Sequence, residues 1–242
     1  MFKVALTLTL ALAFGQDVFG QSYFVRGEQD WEVSGFAGAS VFSGDFHFST
    51  PVLDDSPGSV QQVEMEYASG YQIGIRIGEY VGDHWAADLE YSFANQPIRF
   101  KNLAPLIPTL SLSQSIHHVS YSFSYLFADR EARFRPYAKF GAGVAIFDVR
   151  RHSRDFIIQG LDPLVRFHDS TKFMVNLGGG AEFYVGDQVA LIFDVKDNLT
   201  GIPSYGLPRF GRIINGIYRP GIDRDGVMNN WQFNAGIAFI WD

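Results

Sequence analysis

The feature that most constrains this chain is an alternation of bulky apolar with small or polar side chains, period two, which returns eight times between residues 31 and 241. Successive side chains of an extended strand point to opposite faces, so each segment reads as a strand with one bulky lane and one small lane. The first runs from Trp31 to Ser43, with Trp31, Val33, Gly35, Ala37, Ala39 and Val41 sharing a face. The second, Tyr71 to Tyr80, sets Tyr71, Ile73, Ile75 and Ile77 against Gln72, Gly74, Arg76 and Gly78. In the third, Trp85, Ala87, Leu89, Tyr91 and Phe93 oppose Ala86, Asp88, Glu90, Ser92 and Ala94. The fourth opposes Val119, Tyr121, Phe123, Tyr125 and Phe127 to His118, Ser120, Ser122 and Ser124.

The fifth sets Ala138, Phe140, Ala142, Val144 and Ile146 against Tyr137, Lys139, Gly141 and Gly143. In the sixth, Phe173, Val175, Leu177, Ala181 and Phe183 alternate with Asn176, Gly178, Gly180 and Glu182, and in the seventh Leu191, Phe193 and Val195 oppose Asp194 and Lys196. The eighth carries Trp231, Phe233, Ala235, Ile237, Phe239 and Trp241 against Gln232, Asn234, Gly236 and Ala238. Three short polar turns, near residues 81–84, 129–133 and 186–188, alternate with four long segments, near 44–70, 95–114, 148–171 and 197–230, read as irregular loops. This predicts an all-β fold, an up-and-down antiparallel meander closed into an eight-stranded barrel, with short turns at one end and long loops at the other.

Alternation fits a soluble lipocalin-like barrel as well as a membrane barrel, and the polar lane separates them. A water-facing lane carries roughly 25 to 35% charged residues. Here that lane is mostly Gly, Ser, Ala and Asn with one or two charges per strand, and the whole chain is only 19% charged and 16% aromatic. Small side chains suit the cramped interior of eight strands, and the bulky lane then faces lipid. Trp31, Trp85 and Trp241 fall at the short-turn rim and Trp231 at the opposite rim, the distribution expected of aromatic belts at the two membrane interfaces; packing in a core is the alternative. The fold expected is therefore a transmembrane β-barrel.

The N-terminus reads as an export signal, with Lys3 before an apolar run from Val4 to Phe14 and small residues after it. Cleavage is expected after Gly20, with Gly15 as the alternative, so residues 1–20 are a signal peptide and 21–242 the barrel. A spanning anchor is the other reading, but the run is shorter than the roughly 20 apolar residues a spanning helix needs. The chain has no cysteine, which excludes disulfides, thiol chemistry and a lipid-modified N-terminal Cys. A formal net charge of -7 argues against a nucleic-acid partner.

The segment Asn234-Ala235-Gly236-Ile237-Ala238-Phe239-Ile240-Trp241 resembles the C-terminal assembly signal of outer-membrane barrels, departing from it in ending on Trp241 and Asp242 rather than on a terminal Phe. With Phe140-Gly141-Ala142-Gly143 and Leu177-Gly178-Gly179-Gly180, the chain resembles the OmpA/OmpX-type eight-stranded outer-membrane barrel superfamily over nearly all of its length. The resemblance implies a Gram-negative outer membrane and contact with lipid and lipopolysaccharide. It further implies insertion by the barrel-assembly machinery through Asn234, Gly236, Phe239 and Trp241. A monomer is expected, and, since the last strand ends the chain, no peptidoglycan-binding domain.

The charged residues of the small lane are the main candidate site. Parity across the first short hairpin puts Arg76 opposite Asp88 or Glu90, and Lys139, Glu182 and Asp194 stand at similar heights above their turns, which predicts one ring of buried ion pairs. Buried charges need partners, so the ring reads as a structural plug, or else as a narrow polar pathway gated by rearrangement of its pairs.

His118 and Ser120 share a face with the His-x-Ser spacing of outer-membrane lipid A deacylases, but nothing identifies the third group that would orient the base. His117 is expected near the rim. Asp223-Arg224-Asp225-Gly226 opens like a calcium loop but lacks the later bidentate Glu and reads as a turn.

The first loop is acidic (Asp45, Asp54, Asp55, Glu64, Glu66), while the third and fourth carry Arg150, Arg151, Arg154, Arg166, Arg209, Arg212, Arg219 and Arg224. These arginines suit lipopolysaccharide phosphates or, equally, the acidic loop. Together the residues point to a structural or interaction protein acting through its long loops, without catalysis, cofactor or metal. A low-conductance porin-like channel, a lipid-modifying enzyme and a secreted soluble barrel are the alternatives.

Overall fold

The computed structural model describes residues 31–43, 46–51, 60–104, 107–149, 167–186, 188–207, 212–214, 217–219 and 225–241. The expected signal peptide and its cleavage sites lie outside these residues, as do Asp45, Asp54, Asp55, Arg150, Arg151, Arg154, Arg166, Arg209, Asp223 and Arg224.

Eight strands close on themselves: β1 (Trp31–Ser43), β4 (Gly70–Tyr80), β5 (Trp85–Asn95), β8 (Gln114–Leu126), β9 (Phe134–Val149), β10 (Ser170–Tyr184), β11 (Val189–Gly201) and β14 (Val227–Trp241). Each pairs antiparallel with its barrel neighbours, and β14 returns to β1 with Trp31 opposite Trp241 and Ser43 opposite Asn229. Closure satisfies every strand edge, the condition under which a sheet can stand in lipid. At the short turn after β4, Gly82 has φ +94°, a conformation that L side chains rarely adopt.

The first two long connections are not irregular. They contain β2 (Phe46–Pro51), β3 (Val60–Tyr67), β6 (Ile98–Ala104) and β7 (Ile107–Leu112), joined as a four-stranded sheet in the order β2-β3-β6-β7. Because β3 leads into β4 and β6 follows β5, the β3–β6 pairing prolongs that part of the wall past the barrel rim. The fourth connection holds a short ribbon of β12 (Arg212–Ile214) and β13 (Ile217–Arg219).

The two lanes separate as their chemistry requires. Ile73, Ile75, Phe140, Phe193 and Phe239 are each about half exposed on the outer wall, while Ser40, Gln72, Ser92, Ser122, Asn176 and Gln232 are buried inside. The inner lane is bulkier than its small-residue reading suggests, because its two ends are apolar. Tyr80, Leu126, Tyr137, Ala190, Ile192, Ala238 and Ile240 form a floor at the short-turn end. Phe42, Ile116, Phe147, Met174 and Met228 join Met65, Tyr67, Tyr205 and Leu207 from the loops in a roof at the other end.

Candidate functional site in the barrel lumen

Between floor and roof, three cations and three carboxylates interlock. Arg76 on β4 stands opposite Glu90 in the β4–β5 register, and its guanidinium lies 3.2 Å from Glu90, 2.7 Å from Asp194 and 3.7 Å from Asp88. Lys139 reaches Asp88 at 2.8 Å and Glu90 at 3.9 Å, and Lys196 pairs with the other oxygen of Glu90. All six are buried. Such a network is tolerable in a water-poor interior only because each charge finds opposite partners.

Phe36 stands inside the network, its ring 5.7 Å from the Arg76 guanidinium and 5.5 Å from the Lys196 ammonium. It is an inner-lane aromatic, with room made for it by Gly74 and Gly236: a Cβ on Gly74 would run into the Phe36 ring. Cation–π attraction adds to the ion pairs at this level.

Glu182 is not in this group. The register sets it opposite Arg135 and Ile192, two residues nearer the short turns than Gly180, the partner of Asp194. It belongs to the floor, where the Tyr80 hydroxyl lies 2.7 Å from Glu32 and 3.1 Å from Glu182, and Arg135 stands 3.8 Å from Glu182. The Arg135 guanidinium also covers the rings of Tyr80 and Tyr184 and donates to the Asp83 carbonyl. Equal distance from a turn does not mean equal height in a sheared barrel, which is why reading up from each turn merges the two levels. Lys196, Glu32, Arg135 and Tyr80 were readable only through the inter-strand register.

Above the network lies an amide belt. Gln72 hydrogen-bonds Asn234, Asn234 donates to Asp194 at 2.7 Å, and Ser122 donates to Asn176 at 3.2 Å. The roof is pinned by Tyr205, whose hydroxyl donates to Gln114 at 2.7 Å and lies 2.8 Å from the Tyr67 hydroxyl. Burial raises both phenols above the usual tyrosine range, so both remain neutral. Tyr205 adopts φ +49° to reach inward, a strain that costs on the order of 1 kcal/mol or more and persists where packing holds it.

Trp31, Trp85 and Trp241 lie on the outer wall at the short-turn end, Trp85 edge-on to Tyr125, and Trp231 lies nearer the loop end opposite Val41. Outer-lane carboxylates sit beside two of them, Glu79 opposite Trp31 and Asp197 opposite Trp231. Asn234 and Gly236 are inner-lane residues, and Phe239 is exposed on the outside. His118 and Ser120 are both buried toward the lumen, with His118 Nδ1 3.4 Å from the Ser92 hydroxyl; His117 points outward, 2.8 Å from the Tyr91 hydroxyl.

A closed barrel with half-exposed apolar side chains outside and charges sealed within defines an integral membrane barrel. The family model described as outer membrane protein beta-barrel domain matches residues 6–239, and the chain belongs to that family. Among solved structures, the outer membrane protein OprG from Pseudomonas aeruginosa aligns over 88% of this chain and 95% of its own, at 15% identity and a TM-score of 0.54. Outer membrane protein AlkL, determined in DMPC lipid bilayers, aligns over 92% of this chain and 96% of its own, at 14% identity and a TM-score of 0.52. At such identities the likeness is one of fold. A comparison with curated proteins finds no match. The protein is an eight-stranded barrel of the bacterial outer membrane, and in such barrels short turns face the periplasm and long loops the exterior.

Proposed function

We propose that this protein is a non-conducting, non-catalytic barrel whose work is done by contacts of its external sheet and long loops. The observation that carries this reading is the filling of the lumen along its whole length. An ion would have to pass the floor packed around Tyr80, the interlocked charges around Arg76 and the roof under Tyr205 in turn. The β2-β3-β6-β7 sheet, built beyond the barrel rim, supplies a folded surface for such contacts.

Planar-bilayer recordings of the purified protein, with Arg76→Ala for comparison, test this. Absence of conductance steps in both supports it, and steps in the wild type overturn it in favour of the second reading, a low-conductance path for small solutes. What favours that second reading is the amide belt, where Asn198, Asn230, Gln232 and Thr200 carry buried polar atoms with no hydrogen-bond partner among the described residues. Such atoms are the usual seats of internal water. The lipid-modifying alternative asks for His118 and Ser120 at the lipid surface, and they lie on the inner lane; lipid A mass spectra are expected to be unchanged by His118→Ala.

The same reading has residues 1–20 removed on export, leaving 21–242 as the mature barrel. It has the last strand, through Asn234, Gly236, Phe239 and Trp241, recognised by the assembly machinery. It places the aromatic belts at the two interfaces, lipopolysaccharide against the outer wall, and the protein in the membrane as a monomer.

A further inference from the structure

We propose that the floor of the lumen is a binding site for one exchangeable proton, shared between Glu32 and Glu182 across the Tyr80 hydroxyl and reached from the periplasmic side. The mid-lumen network is balanced, Arg76, Lys139 and Lys196 against Asp88, Glu90 and Asp194. The floor is not, because among the described residues the guanidinium of Arg135 alone faces two buried carboxyls, Glu32 and Glu182. Arg135 is within ion-pair range of Glu182 only; among the described residues no cation lies in that range of Glu32.

Tyr80 has one hydroxyl proton and two carboxyl oxygens to serve, at 2.7 and 3.1 Å. Tyr184 lies 3.4 Å from the same Glu182 oxygen and adds a second weak donor there. Two like charges held this close in a poorly hydrated interior cannot both ionise without cost. One proton on the pair leaves a single negative charge for Arg135 and gives the floor the neutrality of the level above it.

A second observation marks the place as a site. A cavity of about 20 Å³, room for about one water, lies among Glu32, Glu182, Asp88, Arg76, Ser124 and Tyr137. The Tyr137 hydroxyl, on a side chain only 5% exposed, has no hydrogen-bond partner among the described residues. A water there accepts from Tyr137 and connects the carboxyls. Below, Tyr80, Arg135 and Tyr184 also line the mouth at the short-turn rim, a recess of about 630 Å³, so the pair meets periplasmic solvent through one layer of side chains.

Arg76, Asp88, Arg135, Tyr137 and Tyr184 are the titratable groups that β4, β5, β9 and β10 bring toward the pair, with Glu79 on the outer lane of β4 and Arg130, Glu131 and Arg133 farther out in the mouth. The walls of β8, β11 and β14 close it with Ser124 and apolar side chains.

Infrared spectroscopy of the folded barrel near neutral pH tests this. One carboxylic-acid carbonyl band per barrel, shifting in deuterated buffer, is expected in the wild type. It disappears in Glu32→Gln, which leaves Glu182 alone with Arg135, and also in Glu182→Gln, which removes the second carboxyl with which Glu32 shares the Tyr80 hydroxyl. Two variants guard against one failing to fold, which heat-dependent gel migration reports. Absence of the band in the wild type, or its persistence in both folded variants, overturns the proposal. A band that appears only when sodium is replaced by choline overturns it too, since the site then holds a metal cation.

Discussion

Arg76 and Asp194 meet across the barrel interior at 2.7 Å although 118 residues separate them in the chain. Their strands, β4 and β11, do not pair; β1 and β14 lie between them in the wall. The contact is thus a brace across the lumen, possible only once the barrel has closed. Arg76→Ala leaves Asp194 and Glu90 short of a buried partner, and a loss of about 3 to 5 kcal/mol is expected. Urea unfolding in detergent measures it, and Asp194→Asn added to Arg76→Ala is expected to restore part of that loss.

The two faces of the wall predict opposite tolerance at glycines. Gly74→Leu pushes into the Phe36 ring, and overpacking of this kind costs about 1 to 3 kcal/mol. Gly35→Leu, with nothing within 4 Å of its added Cβ, is expected to change stability by no more than about 0.5 kcal/mol. The same unfolding measurement compares them.

The roof should answer to Tyr205. Tyr205→Phe strips the Tyr67 and Gln114 side chains of a partner, worth about 1 to 3 kcal/mol for buried polar groups. Hydrogen exchange at the loop end of the barrel is expected to speed up while exchange at the short-turn end stays unchanged. Because burial raises the Tyr67 and Tyr205 phenols above the ordinary value of 10.0, their contribution is fully present below that pH and fades as pH climbs beyond it. Exchange at the roof should therefore be flat with pH, after correction for the intrinsic rate, until alkaline conditions loosen it.

Lipid outside predicts a charge penalty there. Ile75→Arg, on a residue about half exposed on the outer lane, is expected to cost about 2 to 4 kcal/mol in bilayers if it lies near the midplane. Folding into lipid vesicles followed by denaturant titration measures it.

The eight barrel strands and their inward and outward lanes were legible because a half-buried strand imposes period two on its own residues. The β2-β3-β6-β7 sheet was missed for a matching reason. Its segments are short, and although residues 62–67 alternate (Gln-Val-Glu-Met-Glu-Tyr), they follow a stretch rich in Asp, Ser, Pro and Gly and read with it as one acidic loop. Partners inside the lumen were harder, because they depend on inter-strand stagger. Pairing along one hairpin, as for Arg76 and Glu90, follows from parity, whereas Glu182 fell to the floor and Lys196 entered the network through register with distant strands. Phe36 could have been found as an aromatic on a lane of small residues, and the apolar floor and roof as bulky inner-lane residues at strand ends.

The central claim is which lane of the wall meets hydrocarbon. The chain has no native cysteine to compete with a label, so single cysteines at Leu89, Phe123 and Ile237 and at the inner-lane Ser92 and Ser122 can each carry a spin probe in bilayers. Collisions with oxygen dissolved in lipid are predicted to dominate at the first three, and low accessibility to it at the other two. Probes at Leu89, Phe123 and Ile237 that respond to a water-soluble nickel relaxant instead, with those at Ser92 and Ser122 sensing lipid, contradict the account.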